Sequence, residues 1–339
     1  MIQIGLFDVE NKLAELSALG DPLEKLNKAI NWNHFKPLLN KAFRKDRKSN
    51  AGRPPYDYVM MFKVLVLQTM YNLSDAQVQF QMLDRFTFRR FLGIQTESQI
   101  PDEKTVWAFR ETLTQAETIK KLFDQFDRYL AAAGYTAKKG QIIDASFVEV
   151  PRQRNSRDEN EDIKQGKTPE EWLGNPSKLS QKDLDARWTK KNDQTFYGYK
   201  NHVNVDVKGK LIRQYSVTPA NVHDSQELEN ILDDDNSGSG VWADSAYYSE
   251  ESQKVLKKRK LRSHIHRKAY RNHPLSEFQN CRNKEKSRIR VRVEHVFGWM
   301  ENQTGSLIRC IGQLRAATRI GLMNLVYNMN RYRYLQSIA

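Results

Sequence analysis

Two aspartates stand inside strand patterns that are otherwise apolar. Asp144 lies in Gln141-Ile-Ile-Asp144-Ala-Ser-Phe-Val148, and Asp244 in Val241-Trp-Ala-Asp244-Ser-Ala246. A carboxylate in such a run is costly unless it is hydrogen-bonded, paired or ligated. A third acid, Glu294, follows Arg290 and Arg292 on a helical stretch. Three converging carboxylates bind hard divalent cations. Two Mg²⁺ ions about 3.5–4 Å apart clamp the attacking and leaving oxygens of a phosphodiester. Each acid also has an ordinary alternative. An aspartate at a strand end caps a loop, and Glu294 lies four residues after Arg290, the spacing of a helical ion pair. Convergence decides between these readings.

The elements that must position the acids begin after Gly134. Strand patterns cover 141–148, 196–207, 211–218, 241–246 and 261–266, with a hairpin signal at Lys208-Gly209. Helical patterns cover 224–232, 249–260 and 288–301, and a last helix covers 319–335. Ile289, Val293, Val296 and Met300 form one apolar stripe on the third of these. This order predicts an α/β domain with a mixed sheet and helices on its faces. If the first and fourth strands are parallel neighbours, the crossover rule brings Asp144 and Asp244 together. Residues 151–195 are polar and read as a long insertion or loop.

Residues before 135 read as helical. Apolar residues recur at helical spacing over 23–43, and a turn is expected at Ser49 to Gly52. Tyr58 to Tyr71 is apolar on nearly all sides. Ser74 then caps a helix carrying Gln77 and Gln81, a short helix from Phe86 ends at Gly93, and Asp102 caps another. Helix, tight turn and capped helix outline a helix-turn-helix DNA reader, in which Gln77 and Gln81 are the candidate base-reading amides. An ordinary helical bundle has the same outline. The expected division is a helical DNA-binding and dimerisation domain over 1–135 and a catalytic domain over 136–339.

Charge is segregated along the chain. The 339 residues carry a formal charge of +14, but residues 251–339 hold 20 Lys and Arg against 5 Asp and Glu, and the first 250 hold 35 against 36. A basic segment of this kind suits nucleic acid phosphate, although acidic proteins and membrane surfaces attract it too. The candidate phosphate contacts are Lys257, Lys258, Arg259, Lys260, Arg288, Arg290 and Arg292, with Lys200 and His202 on a strand beside the acidic one. His223 and Asp224 look like a metal pair, but a helix cap is the favoured reading of Asp224. Cys281 and Cys310 give no disulfide framework and no metal-ligand spacing. The most apolar run, Val59 to Leu67, is interrupted by Lys63 and falls short of the roughly 20 residues a spanning helix needs. With no secretory signal pattern at the N-terminus, a cytoplasmic, nucleoid-associated protein is expected.

Together these segments resemble DDE transposases of insertion-sequence family five, within the broader group that includes family four. The resemblance runs through Asp102, Thr105, Phe109 and Arg110, through Ile143-Asp144-Ala-Ser-Phe-Val148, and through Tyr197-Gly198-Tyr199-Lys200-Asn201-His202. It continues in Thr218-Pro-Ala-Asn221-Val-His223-Asp224-Ser225, Ala243-Asp244-Ser-Ala-Tyr247 and Arg292-Val-Glu294-His295-Val-Phe297-Gly298. It implies an RNase H-like catalytic core and Asp144, Asp244 and Glu294 as catalytic metal ligands. It also implies two Mg²⁺ ions, with Mn²⁺ as a substitute, and double-stranded DNA as partner, both as terminal inverted repeats and as target. A homodimer on paired ends is expected, its apolar contacts drawn from 23–43 and 319–335. The related group often has Tyr, Arg, Glu and Lys along the late helix; here Ser287 and Glu301 stand at the Tyr and Lys positions. A non-catalytic helix-turn-helix protein and an RNase H-like nuclease are the alternatives.

Overall fold

The computed structural model describes residues 8–44, 54–191, 193–270 and 272–338, and the turn expected at 49–52 lies outside them. The chain forms two units. One holds the described residues up to Tyr129 together with those from Leu322 onward, and the other holds Leu130–Gly321.

The first unit is all helical: α1 (Asp8–Ala18), α2 (Pro22–Ala29), α3 (Lys36–Ala42), α4 (Tyr58–Met70), α5 (Asp75–Asp84), α6 (Phe86–Leu92), α7 (Glu103–Gln115) and most of α8 (Thr118–Ala132). Its starts follow capping chemistry. Ser74 and Gln77 form a reciprocal capping box, and Asp102 accepts the Thr105 amide at 2.6 Å. Gly93 ends α6 in the left-handed region at φ 73°, a conformation glycine adopts without strain. Helix α4 is buried almost all round, as its unbroken apolar run requires. Arg110 on α7 clamps both oxygens of Asp75 at 2.7 and 2.8 Å, joining α7 to the start of α5.

The C-terminal helix departs from the expected domain boundary. Its later part, from Leu322, belongs to the helical unit, because Leu322, Met323, Leu325, Val326 and Met329 are buried and Tyr332 packs edge-on to Phe126 and Tyr129. Likewise Leu23, Leu26, Trp32, Phe35 and Leu39 are buried in this unit's own core. The apolar residues expected to mediate dimerisation are therefore occupied within the chain.

The second unit is built on a mixed sheet of β1 (Gln141–Glu149), β2 (Arg187–Lys191), β3 (Gln194–Asp206), β4 (Ile212–Pro219), β5 (Gly240–Ala243) and β6 (Arg262–Ser263). Strand β1 is central. It pairs antiparallel with β3 and parallel with β5; β4 continues antiparallel from β3, and β6 continues parallel from β5. Strand β2 also pairs antiparallel with the start of β3, and apart from it the order β4-β3-β1-β5-β6 with these directions is the RNase H-like arrangement. Gly198 is required where β3 faces Glu149, because it sits at φ 146° and a Cβ there would lie 2.4 Å from the Val148 carbonyl oxygen. Under the β1–β5 half, Ile143, Ile231, Val241, Tyr247, Leu256 and Ile265 form an apolar core.

Two expectations change. Residues 151–195 contain α9 (Arg157–Lys164), α10 (Glu170–Leu173), α11 (Pro176–Leu179) and β2, rather than a structureless loop. Trp172 anchors this segment: its indole is fully buried and donates to Glu159 at 2.6 Å, and Lys178 also donates to Glu159 at 2.9 Å. After α12 (Asp224–Glu227) and α13 (Glu250–Lys258), the late helix is two helices, α14 (Glu277–Arg290) and α15 (Glu294–Thr304). A 3-10 turn over Val291–Val293 separates them, and the chain ends in α16 (Gln313–Ser337). The break falls where two β-branched valines lie close together, the part of the run that favours helix least.

Candidate active site

Strand register builds the acidic centre. Ile143 pairs with Ala243 across the parallel β1–β5 contact, so Asp144 and Asp244 are the next residues on neighbouring strands. Strand β5 stops at Ala243, and Asp244 turns to accept the Ala246 amide at 2.8 Å, capping a 3-10 turn. Asp144 is 8% exposed and accepts its neighbour Ala145's amide at 2.9 Å. Arg290, in the last turn of α14, donates to its other oxygen at 2.7 Å. Burial pushes the Asp144 carboxyl up to about 6; Arg290 opposes this and the charge of Asp244 adds to it.

That electrostatic conflict is what a hard cation relieves. Two adjacent carboxylates, one of them buried and partly balanced by a guanidinium, fit a divalent ion's preference for anionic oxygen. Glu294 does not complete a three-carboxylate cluster with them. It is exposed at the first position of α15, just past the 3-10 turn, and no three metal-binding side chains are gathered among the described residues.

Behind the pair lies a buried polar network. Tyr247, with no exposed surface, places its hydroxyl 3.5 Å from His202 Nδ1, and His202 Nε2 is 2.9 Å from Thr218 Oγ1. Burial depresses the His202 imidazole to about 4, against a raising influence from Asp224 and Glu227. The unfolded chain therefore binds this proton near pH 6.5 while the native chain does not. Stability should fall as pH drops from about 6.5 to 4, by roughly 3 kcal/mol from this residue. Urea midpoints across that window should show the decline in wild type, and less of it in His202→Gln.

The structure distributes the remaining candidates unevenly. Lys200 is 8% exposed; its ammonium donates to Asp224 and to the Val222 carbonyl, both at 2.7 Å, so it braces β3 against α12 and is not presented to a phosphate. His202 is fully buried. The N-cap of α12 is His223, whose Nδ1 accepts the Ser225 amide at 3.3 Å, and Asp224 is committed to Lys200 instead of capping. Arg292 donates to the Val207 carbonyl at 2.9 Å, and Arg259 pairs with Asp234 at 2.8 Å. Lys257, Lys258, Lys260 and Arg288 are exposed. Gln77 uses its side-chain oxygen to accept the Ser74 amide at 2.8 Å, and Gln81 Oε1 is buried without a partner. Gln77 is exposed but its oxygen is used to cap the helix start, whereas Gln81 is half-buried.

Sequence reasoning missed His266. Its amide donates to the Ala243 carbonyl at 3.1 Å, which puts it beside Asp244 on the far side of β5 from Asp144, and Ser287 Oγ lies 3.4 Å from its Nε2. Only strand register could have revealed it, because nothing in Ser263-His264-Ile265-His266 marks a site.

A family model described as a transposase DDE domain matches residues 135–329, more than half of the chain. The chain belongs to the DDE transposase family. A second model, described as a transposase domain, matches residues 11–112 of this transposase, within its helical unit. Among solved structures, a piggyBac transposase synaptic complex with hairpin DNA aligns at 13% identity and a TM-score of 0.48. That alignment covers 94% of this chain and 76% of the other. No helix among the described residues is long and apolar enough to cross a membrane.

Proposed function

We propose that the protein binds the terminal inverted repeats of an insertion sequence, cuts DNA at those ends and joins the freed ends to target DNA. The observation that carries this is the parallel register that sets Asp144 beside Asp244 at the end of β5, in a chain of the DDE transposase family. Asp144, Asp244 and Glu294 are the residues that would hold divalent cations, Mg²⁺ or Mn²⁺. When bound, such ions polarise phosphate oxygens and activate the attacking oxygen. The chain's own contribution is placement. The sheet fixes Asp144, the 3-10 turn fixes Asp244, and the Val291–Val293 break sets where Glu294 is carried. In the first transfer a water oxygen bonds to phosphorus as the bond to the 3′-oxygen breaks. In the second, the released 3′-hydroxyl oxygen bonds to a phosphorus of target DNA as that phosphorus loses its bond to the target's own 3′-oxygen, which leaves as a 3′-hydroxyl.

A strand-transfer assay tests this reading. A linear duplex bearing the element's ends, mixed with a supercoiled plasmid and Mg²⁺, should yield joined product. Sequence-specific binding with neither nicking nor joining would instead support a non-catalytic DNA-binding protein. Two ends joined together call for two active sites, so sedimentation on end-bearing DNA should show a dimer or larger assembly.

DNA affinity is proposed to come from exposed cations in the basic segment. Changing Lys257, Lys258 and Lys260 to Ala should weaken binding to all duplexes alike. The slope of log K against log salt should flatten by about 0.9 for each phosphate that the variant no longer neutralises. Arg259→Ala should matter less, because Asp234 already neutralises it. Fluorescence anisotropy over a salt series measures both, and an unchanged slope in the triple variant would assign phosphate binding to other residues.

A further inference from the structure

We propose that Arg290 is a resident counter-cation for the Asp144–Asp244 pair, one that a divalent ion must displace, and whose displaced guanidinium is then free for a phosphate. The inference rests on reading the aspartate pair as a cation site. Three observations carry it. Arg290 donates to Asp144 Oδ2 at 2.7 Å, and the Ala145 amide takes Oδ1, so the buried carboxylate has both oxygens engaged. An incoming ion therefore meets Arg290 first. The guanidinium is also imperfectly housed, because its Nε is buried with no hydrogen-bond partner. A buried donor left unpaired costs free energy, so the seat is one from which the side chain is readily released. Finally, Arg290 closes α14 immediately before the 3-10 turn that leads to Glu294, so it sits where the helical rail is interrupted. Displaced from Asp144, its planar fork of donors suits a phosphate better than a lysine would.

Charge logic makes the consequence specific. Arg290 stabilises the acidic pair while no ion is bound, and it competes with whatever ion binds. Removing it should raise cation affinity in the free protein even as it harms DNA processing. Calorimetric titration of Mn²⁺ into the full-length protein tests this. Arg290→Gln and Arg290→Met should bind Mn²⁺ about tenfold more tightly than wild type. Arg282→Gln, the same charge change on the same helix but paired with Glu285, should stay within about twofold. Asp144→Asn should lose most of the binding. Unchanged or weaker Mn²⁺ binding in the Arg290 variants, with the loss in Asp144→Asn intact, would overturn this inference alone. Wild-type binding retained in Asp144→Asn and Asp244→Asn would instead remove the cation site itself. A second readout needs no variant: Mn²⁺ should increase phenylglyoxal labelling of Arg290 in the wild-type protein, measured on its peptide by mass spectrometry. Labelling unchanged by saturating Mn²⁺ would count equally against the exchange.

Discussion

Asp144→Asn and Asp244→Asn should each lower strand cleavage by about a thousandfold or more while leaving affinity for end-bearing DNA within a few-fold of wild type. The amide keeps the side-chain volume and removes the charged oxygen, so packing at the sheet is preserved. Asp144→Asn keeps an oxygen for the Ala145 amide, and Asp244→Asn keeps one for the Ala246 amide, so the local turns should survive. Glu294→Gln should cause a comparable loss if α15 delivers its carboxylate to the pair on DNA. Since Glu294 is exposed, its substitution should leave the melting temperature unchanged. Single-turnover cleavage and anisotropy on the same preparations separate chemistry from binding. Near-normal cleavage by any one variant would take that residue out of the centre.

The second large effect is on stability. Lys200→Ala should destabilise the second unit by about 3–5 kcal/mol, because it leaves Asp224 a buried carboxylate without its partner. The two side chains are 10% and 12% exposed, and Lys200 also satisfies the Val222 carbonyl. A lysine serving DNA would behave in the opposite way, changing the salt dependence of binding with little effect on folding. Urea denaturation alongside a salt series distinguishes the two. The double variant Lys200→Met with Asp224→Leu should recover much of the loss, since replacing both partners removes the uncompensated charge.

These two cases show how far residues alone reveal the site. The aspartates are legible because a charge inside an apolar strand is an energetic contradiction that only ligation, pairing or capping resolves. The strand order then predicts their adjacency, and the β1–β5 register supplies it. Lys200 is not legible in the same way, because period-two alternation says which face a residue occupies, but not what covers that face. Here α12 covers it and supplies the counter-charge. Gln77 and Gln81 have the amide chemistry of base readers, yet Gln77's spacing from Ser74 is equally that of a capping box, and the helix start claims it. The late helix reads as continuous because its apolar stripe continues through Val293 and Val296. Periodicity does not register a single 3-10 turn, although that turn decides where Glu294 stands. His266 and the Arg290–Asp144 pair depend on contacts between residues far apart in sequence, which no local pattern records.

The most direct test of the aspartate pair as the cation-binding centre is a ligand-softness exchange. Asp244→Cys and Asp144→Cys replace a hard carboxylate by a thiolate, which Mg²⁺ binds poorly and softer ions accept. Cleavage of an end-bearing duplex is then measured for each variant in Mg²⁺ and in Mn²⁺. If these residues hold the ion, both variants are inert in Mg²⁺, and at least one regains cutting at the element's end in Mn²⁺. Cleavage in Mg²⁺ at close to the wild-type rate, or no recovery in Mn²⁺ by either variant, would contradict that assignment.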